Sequence, residues 1–215
     1  NNVYDVQVQV SDGSLTDTQD IAVTVTNVNE APVITSNGAG TTAAVNVAEN
    51  STSVTTVTST DVDAGATATY SIIGGADAAK FTIDASTGAL SFVSAPDFEN
   101  KLDAGANNVY DVTVQVSDGL GGSDTQAIAV TVTNVNEAPV ITSNGAGTTA
   151  AVNVAENSTT VTTVTSTDVD AGATATYSIV GGADSAKFTI DASTGALSFV
   201  SAPDFENKLD AGANN

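Results

Sequence analysis

The stretch Val-Tyr-Asp-Val-Thr-Val-Gln-Val at residues 109–116 decides the fold class, because apolar and polar side chains alternate along it without a break. A period of two places successive side chains on opposite faces of an extended strand. Residues 128–132 and 45–47 show the same alternation, and β-branched residues are frequent in all three stretches. No segment has a good helical period. We therefore predict an all-β protein.

Turn-forming residues separate the predicted strands at about the spacing expected for a β-sandwich. Ser-Asp-Gly at residues 117–119 predicts a hairpin, and Asp-Ala-Ser-Thr-Gly at residues 84–88 predicts a turn between two shorter strands. At most a short helical turn is expected, around residues 78–80 or 97–101. One copy of the pattern is predicted to contain seven strands, at about 33–37 with 44–48, 53–59, 67–73, 80–83, 89–93, 108–116 and 125–133.

The chain repeats itself closely. Residues 17–108 recur at 124–215, a shift of 107, and only four of the 92 aligned positions differ. Residues 1–13 recur at 107–119 with one change. Because such a repeat is a structural unit, we predict three segments. They are the last two strands of a preceding repeat at 1–28, a complete repeat at 29–135 and the first strands of a following repeat at 136–215.

The sameness of the copies argues against an enzyme, because a catalytic site needs one specialised set of residues and nothing here is present only once. Asp97 and Glu99 could in principle form an acid and base pair. However, they lie close together in every copy and are better explained as metal ligands. We predict that the chain is not an enzyme.

The charge of the chain restricts its partners. Its 215 residues include 25 Asp and Glu against 4 Lys and no Arg, for a formal net charge of −21. Such a charge repels nucleic acid and anionic membranes, and it destabilises the compact state unless cations lie among the carboxylates. No apolar run reaches the roughly 18 residues of a membrane span, and the absence of cysteine excludes disulfides. We expect no nucleic-acid partner and no membrane span in this piece.

The aromatic residues are few and scattered. Tyr70, Phe81, Phe92, Phe98 and Tyr110 each occur once in a copy. We predict that they fill the core of a small sandwich. Their scatter does not favour a row of rings on which a sugar could stack.

The acidic residues are grouped in short motifs that recur. Calcium takes six to eight oxygen ligands, and carboxylates at alternate positions of an extended segment point the same way. The loops of a sandwich gather at its two ends, so motifs from different loops should meet where one copy joins the next. We predict two to three calcium ions at each joint. The motifs are Glu49-Asn50, Asp61-Val62-Asp63, Asp97-Phe98-Glu99-Asn100, Ser117-Asp118-Gly119 and the joint Asn-Val-Asn-Glu-Ala-Pro at 27–32 and 134–139.

Taken together and in this order, the motifs resemble the cadherin extracellular repeat and, more closely, its bacterial tandem relatives in giant surface adhesins. The resemblance covers the whole chain. Its most diagnostic stretch is Phe-Thr-Ile-Asp-Ala-Ser-Thr-Gly-Ala-Leu at residues 81–90. It implies tandem seven-stranded Greek-key β-sandwiches of the cadherin and immunoglobulin-like class, with calcium at the junctions.

The resemblance also implies two sets of metal ligands, carried over by position. At the second junction they are Glu49, Asp97 and Glu99 of one copy, Asn136 and Glu137 of the joint, and Asp168 and Asp170 of the next copy. At the first junction they are Asn29, Glu30, Asp61, Asp63 and Asp118. The joint begins with Asn134 where the family usually has Asp, so we expect two firm sites and one weak site.

The resemblance favours a secreted or cell-surface protein, of bacterial origin, in which calcium stiffens a stalk or fibre made of neighbouring repeats. Two alternatives stay open. Residues 1–26 are the two strands that residues 136–215 lack, so like chains could complete one another head to tail by strand addition and form a filament. The chain could instead be a module that binds a glycan or another cell-surface target.

Overall fold

The computed structural model describes residues 2–207 and 209–212. Asn1, Lys208 and residues 213–215, which belong to the first and last predicted segments, lie outside the described residues. The chain divides into two compact units, Asn1–Thr133 (unit 1) and Asn134–Asn215 (unit 2). The fold is all-β, as predicted. No helix in the described part of the chain is long and apolar enough to cross a membrane.

Unit 1 begins with a hairpin of two antiparallel nine-residue strands, β1 (Val3–Ser11) and β2 (Thr16–Thr24). Asp12 closes the turn, because its Oδ1 accepts the backbone N–H of Ser14 at 2.8 Å and of Leu15 at 2.7 Å. Every residue of both strands is exposed, although one face of the hairpin is apolar. The apolar alternation has therefore produced strands here without producing a core.

Residues 33–133 form a β-sandwich. Its strands are β3 (Val33–Ile34), β4 (Thr42–Ala48), β5 (Ser53–Thr56), β6 (Ser59–Thr60), β7 (Thr69–Gly74), β8 (Phe81–Ile83), β9 (Ala89–Phe92), β10 (Val109–Ser117) and β11 (Ser123–Thr133). One sheet has the order β4-β11-β10-β7, a second has the order β5-β9-β8, and β3 pairs with β6. The pair β11-β4 is parallel and the others are antiparallel.

The seven predicted strands are present, but the first two are interrupted. Between β3 and β4 the backbone turns through left-handed conformations at Asn37 (φ 53°) and Ala39 (φ 49°), which no extended strand can contain. The predicted strand 53–59 breaks after Thr56, because β5 pairs with β9 whereas β6 pairs with β3. The short turn expected at residues 78–80 is confirmed as a 3-10 helix, Ala78–Lys80.

The core lies between the two sheets and contains the predicted aromatic residues. Phe81 and Phe92 stack with their ring centroids 4.6 Å apart. Tyr110, which lies on the other sheet, meets Phe92 edge-on with the ring centroids 5.2 Å apart. Tyr70 is also buried, and Phe98 packs against the cluster as a half-buried ring. The inward residues of β10 and β11 complete the core: Val112, Val114, Val116, Ile128, Val130 and Val132.

Unit 2 reproduces only part of this sandwich. Its strands are β12 (Val140–Ile141), β13 (Thr160–Thr163), β14 (Ser166–Thr167), β15 (Phe188–Ile190) and β16 (Ala196–Phe199), and a second 3-10 helix spans Ser185–Lys187. The pair β12-β14 and the sheet β13-β16-β15 correspond to β3-β6 and β5-β9-β8 of unit 1. The counterparts of β4 and β7, at residues 149–155 and 176–181, form no strand.

The missing strands have a simple cause. In unit 1, β4 pairs only with β11 and β7 pairs only with β10. Within the described residues of unit 2 there is no hairpin equivalent to β10 and β11. The two copies are almost identical in sequence over these segments. The difference therefore comes from the absent hydrogen-bonding partner and not from local strand propensity.

Candidate metal centres

Five of the predicted ligands converge in unit 1, and we call Asn29, Glu30, Asp61, Asp63 and Asp118 the joint cluster. The Asn29 side-chain amide donates to Asp118 Oδ2 at 2.8 Å. The backbone N–H of Glu30 donates to Asp63 Oδ2 at 2.7 Å. The backbone N–H of Asp63 donates in turn to Asp61 Oδ1 at 2.8 Å, which fixes the two carboxylates of the Asp-Val-Asp loop.

The loop between β10 and β11 holds Asp118 in place. Its Oδ1 accepts the backbone N–H of Leu120 at 2.7 Å and of Gly122 at 3.0 Å. A Cβ at Gly122 would collide with the Asp118 carboxylate and would lie 2.8 Å from the Cα of Ala31. Glycine is thus required for the hairpin loop to approach both the carboxylate and the joint so closely.

Hydrogen bonds lower the pKa of two of these carboxyl groups. The side-chain amide of Asn27 and the N–H of Glu30 lower the pKa of Asp63, against the opposing effects of burial and of the Asp118 charge. The Asn29 amide and the N–H of Leu120 likewise lower the pKa of Asp118. The cluster therefore gathers negative charge instead of losing it through protonation.

One carboxylate oxygen of the joint cluster is left without a partner. Asp61 Oδ2 is buried, and it meets no hydrogen-bond donor among the residues that the structure describes. A buried, unpaired carboxylate oxygen is costly unless a cation or a donor approaches it. The donor set of the cluster consists of carboxylate and amide oxygens, which are the ligands that calcium prefers. These residues fit a calcium ion.

Unit 2 repeats the geometry of the joint on its own residues. Asp170 Oδ2 accepts the backbone N–H of Glu137 at 2.8 Å, and the N–H of Asp170 donates to Asp168 Oδ1 at 3.0 Å. The side-chain amide of Asn136 donates to the carbonyl of Glu137 at 2.9 Å. The predicted ligands Asn136, Glu137, Asp168 and Asp170 thus follow the same pattern as their counterparts in unit 1.

A second acidic group, the loop cluster of Glu49, Asp97 and Glu99, lies elsewhere in unit 1. Glu49 is buried at the end of β4, and its Oε2 accepts the backbone N–H of Phe98 at 2.8 Å. Carboxylate oxygens of Glu49 and Glu99 lie within 4.8 Å of each other. Asp97 is not part of that close group; its Oδ1 accepts the N–H of Glu99 at 3.0 Å.

The counterpart of the loop cluster in unit 2 is more compact. Glu156, Asp204 and Glu206 each present a carboxylate oxygen, and these oxygens all lie within 4.8 Å of one another. The backbone N–H of Phe205 donates to Glu156 Oε2 at 3.1 Å, as Phe98 does to Glu49. All three acidic residues are exposed. In unit 2 the carboxylate of Asp204 therefore joins the other two, whereas its counterpart Asp97 stands apart in unit 1.

The predicted ligand sets did not include one residue that contacts the joint cluster directly. Asn27 Nδ2 lies 2.6 Å from Asp63 Oδ1, and the equivalent Asn134 Nδ2 lies 2.7 Å from Asp170 Oδ1. Both asparagines open the Asn-Val-Asn-Glu-Ala-Pro motif, which was the available signal. Their contact depends on the path of the joint across the loop, which residue spacing does not give.

Comparison with known proteins identifies the family of the sandwich in unit 1. The family model of the cadherin domain matches residues 43–134. Residues 43–134 form a cadherin-like repeat. Human Protocadherin Fat 1 is 34% identical over 137 residues, which are 62% of this chain and 3% of that protein. Mouse Cadherin EGF LAG seven-pass G-type receptor 2 is 34% identical over 163 residues, 74% of this chain and 5% of that protein.

Solved structures give the same fold for the cadherin-like repeat. The Protocadherin gammaB7 EC3-6 cis-dimer structure has a TM-score of 0.57 at 26% identity, over 96% of this chain and 53% of that one. Human CDH23 EC21-23 has a TM-score of 0.58 over 95% of this chain and 66% of that one, and at 21% identity it bears on the fold alone. Cadherin domains are adhesion modules, so this repeat is an adhesion-type module and not an enzyme.

Proposed function

We propose that this chain is a segment of a secreted or cell-surface tandem-repeat protein, in which calcium ions at the junctions stiffen a stalk or fibre. The observation that carries the proposal is the joint cluster. Three carboxylates from two loops meet the joint, and the buried Asp61 Oδ2 has no partner among the described residues. The chain is a small part of its named relatives, so the role of the whole protein is inferred.

The joint cluster concentrates negative charge. Asp61, Asp63 and Asp118 bring three negative charges close together in a chain whose net charge is already −21. Calcium would offset this repulsion and would tie the joint to both loops. The side-chain amides of Asn27 and Asn29, which donate to Asp63 and Asp118, suit this role. Rotating such an amide by 180° replaces the N–H donor by an oxygen that can bind calcium.

We propose the same role for both predicted ligand sets, with two to three ions at each junction. The first set is Asn29, Glu30, Asp61, Asp63 and Asp118. The second set is Glu49, Asp97 and Glu99 with Asn136, Glu137, Asp168 and Asp170. Bacterial origin stays a prediction, because the named relatives come from human and mouse.

Calcium titration of the 215-residue chain by calorimetry tests the proposal. We expect binding with dissociation constants on the order of 10⁻⁴ M, the range of extracellular modules. Asp63→Asn should reduce the number of ions bound, and it should reduce the increase in melting temperature that calcium produces. Asp111→Asn is the matched control, because Asp111 is an exposed carboxylate of β10 and the charge change is the same. Equal loss in both variants would show that calcium binds only through net charge.

Stiffening is tested separately by small-angle scattering from a chain of several repeats. Chelation of calcium should make such a chain more flexible, and Asp63→Asn in every copy should have the same effect with calcium present. An unchanged scattering profile would reject the mechanical role while leaving calcium binding intact. A glycan-binding module is not favoured, because Tyr70, Phe81, Phe92 and Tyr110 lie in the core.

A further inference from the structure

A fully buried glutamine lies on the inner face of β11. Gln126 is 0% exposed and lies on the same face of the strand as the core residue Ile128. A buried amide is costly unless its donors and its acceptor are bonded. The Nε2 of Gln126 donates to the carbonyl of Gly40 at 2.9 Å and to the carbonyl of Ser36 at 3.4 Å. Gln126 therefore ties β11 to both ends of the turn at residues 36–40.

This turn has an Asn-Gly pair at its centre. The N–H of Ala39 donates to the carbonyl of Ser36 at 3.0 Å, which closes the turn around the two residues between them. Both of these residues are left-handed, Asn37 with a φ of 53° and Gly38 with a φ of 89°. These are the features of a type I′ turn, in which Asn-Gly is the favoured pair. The backbone conformation explains the pair, but the pair also has a reactivity of its own.

An Asn-Gly pair can react with itself, because glycine has no side chain to shield its nitrogen. The backbone nitrogen of Gly38 attacks Cγ of Asn37, the Cγ–Nδ2 bond breaks, and ammonia leaves with the proton of the Gly38 N–H. Water then opens the cyclic imide at one of its two carbonyl carbons. Opening at Cγ gives aspartate, whereas opening at the backbone carbonyl gives isoaspartate, whose backbone is one carbon longer. The net reaction consumes one water and releases one ammonia, with no oxidation or reduction.

The fold restrains the carboxamide that must react. Asn37 Nδ2 donates to Gln126 Oε1 at 3.2 Å, and Asn37 Oδ1 accepts the hydroxyl of Thr55 at 2.9 Å. These partners lie on β11 and β5, which belong to different sheets. Ring closure draws Cγ to bonding distance from the Gly38 nitrogen, so the carboxamide must first leave both partners. Gln126 and Thr55 therefore oppose the reaction.

We propose that Asn37-Gly38 is a self-modifying site at which Gln126 and Thr55 set the rate of deamidation, and that the product releases the turn from β11. In the aspartate product a carboxylate oxygen replaces Nδ2 and faces Gln126 Oε1, so two acceptors oppose each other. Gln126 cannot turn its N–H group toward that carboxylate without losing its bond to the Gly40 carbonyl. In the isoaspartate product the turn itself is lengthened. The site shares no residue with the joint cluster or the loop cluster, so it stands apart from calcium binding.

The turn follows β3, the short strand that connects the joint to the sandwich. β3 pairs with β6, and Asp124 Oδ2 accepts the N–H of Ile34 at 2.8 Å. The bonds of Gln126 to the turn secure the other end of this connection. Because deamidation removes that support, chains that have aged hold the joint less firmly against the sandwich.

Peptide mass analysis of the folded chain, aged at neutral pH, measures the reaction. Cleavage after lysine places Asn37 in residues 1–80. The repeated pair at Asn144 falls in residues 102–187, so the two sites are measured separately. We expect Asn37 in the folded chain to deamidate on the order of tenfold more slowly than in a peptide of residues 33–42, because two hydrogen bonds must break first. Equal rates in the chain and in the peptide would overturn the proposal.

Two substitutions remove the restraint while keeping side chains of similar size. Thr55→Val removes the hydroxyl donor, and Gln126→Leu replaces the amide by an apolar side chain that suits a buried position. Each should speed the deamidation of Asn37 severalfold in the folded chain. Gln115→Leu, a half-buried position of β10, is the matched control and should leave the rate unchanged. Val112→Ala destabilises the core away from the turn and should also leave the rate unchanged, which separates loss of restraint from general unfolding. The proposal is wrong if neither Thr55→Val nor Gln126→Leu is faster than wild type, or if Val112→Ala is equally fast.

The Asn37→Asp variant tests the release of the turn. In this variant the N–H of Ala39, which donates to the Ser36 carbonyl, should exchange with solvent faster than in the wild-type chain. The N–H of Val132, which donates to the carbonyl of Asn108 at 2.8 Å, should exchange at the wild-type rate. Hydrogen exchange measured by NMR gives both values. Unchanged exchange at Ala39 would show that deamidation leaves the turn attached and would contradict the proposed release.

Discussion

The side-chain amide of Asn27 donates a hydrogen bond to Asp63, with 2.6 Å between Nδ2 and Oδ1, and Asn134 makes the same contact with Asp170 at 2.7 Å. The contact attaches the joint to the Asp-Val-Asp loop through a neutral group. It also lowers the pKa of Asp63. The first asparagine of the joint motif therefore keeps the carboxylate ionised while adding no negative charge of its own.

Replacing Asn27 by Asp should lower the stability of the folded chain in the absence of calcium and raise its affinity for calcium. The substitution removes a donor and places a second carboxylate against Asp63, so we expect a lower unfolding free energy in chelator. With calcium in excess the loss should shrink or reverse, because the new carboxylate is a further oxygen ligand. Urea denaturation with and without calcium measures both effects.

Gln9→Asp is the control for this change, because it also adds one negative charge at an exposed site of unit 1. It should show little dependence on calcium. If Asn27→Asp behaved like Gln9→Asp in both conditions, the amide contact would have no role in the joint.

The turn at residues 84–88 should make stability depend on pH. The N–H and hydroxyl groups of Thr87 and the N–H of Ser86 lower the pKa of Asp84. A lowered pKa in the folded state contributes stability above the unfolded value, near 3.8, that is lost as the pH falls through the folded value. In chelator, Asp84→Asn should therefore flatten the loss of stability between about pH 5 and pH 2. Urea midpoints across that range measure it, and parallel pH profiles for the two proteins would contradict the prediction.

The alternation at residues 109–116 was sufficient to predict a strand and its buried face. Val112, Val114 and Val116 are buried as the pattern requires. The same alternation in β1 predicts the strand equally well, yet all nine of its residues are exposed. Periodicity identifies which face is apolar. Whether that face is covered depends on the sheet opposite, which lies far away in sequence.

Strand formation at residues 42–48 and 149–155 also depends on a partner that is distant in sequence. Their sequences are identical, but only the first segment pairs, because β11 lies beside it. For the acidic motifs, too, the sequence predicted only part of the arrangement. Their spacing indicated which loops would meet around Asp61, Asp63 and Asp118, whereas the contact of Asn27 depends on the course of the joint in space.

The two copies allow one core substitution to be measured at a buried and at a half-buried position. Leu90 is 1% exposed in unit 1, so Leu90→Ala should cost about 2–5 kcal/mol. Leu197, its counterpart, is half-buried, and Leu197→Ala should cost less because less apolar contact is lost. Urea denaturation of both variants gives the comparison. Equal costs would show that Leu197 makes as many apolar contacts in solution as Leu90 does.

Gly88 combines a left-handed backbone with a close approach, and the two effects can be separated. Its φ is +71°, and an added Cβ would collide with the carbonyl oxygen of Val57. Gly38 has a comparable φ of +89° with nothing within 4 Å of an added Cβ. Gly38→Ala should therefore cost about 1 kcal/mol from backbone strain alone.

Gly88→Ala should cost clearly more than Gly38→Ala, because the collision is with backbone and cannot be relieved by moving a side chain. The turn at residues 84–88 must then shift away from Val57, whose N–H donates to the Gly88 carbonyl at 2.8 Å. Urea denaturation in chelator measures the difference between the two variants. If the two costs were the same, backbone strain alone would explain the glycine at position 88, and the close approach to Val57 would not contribute to stability.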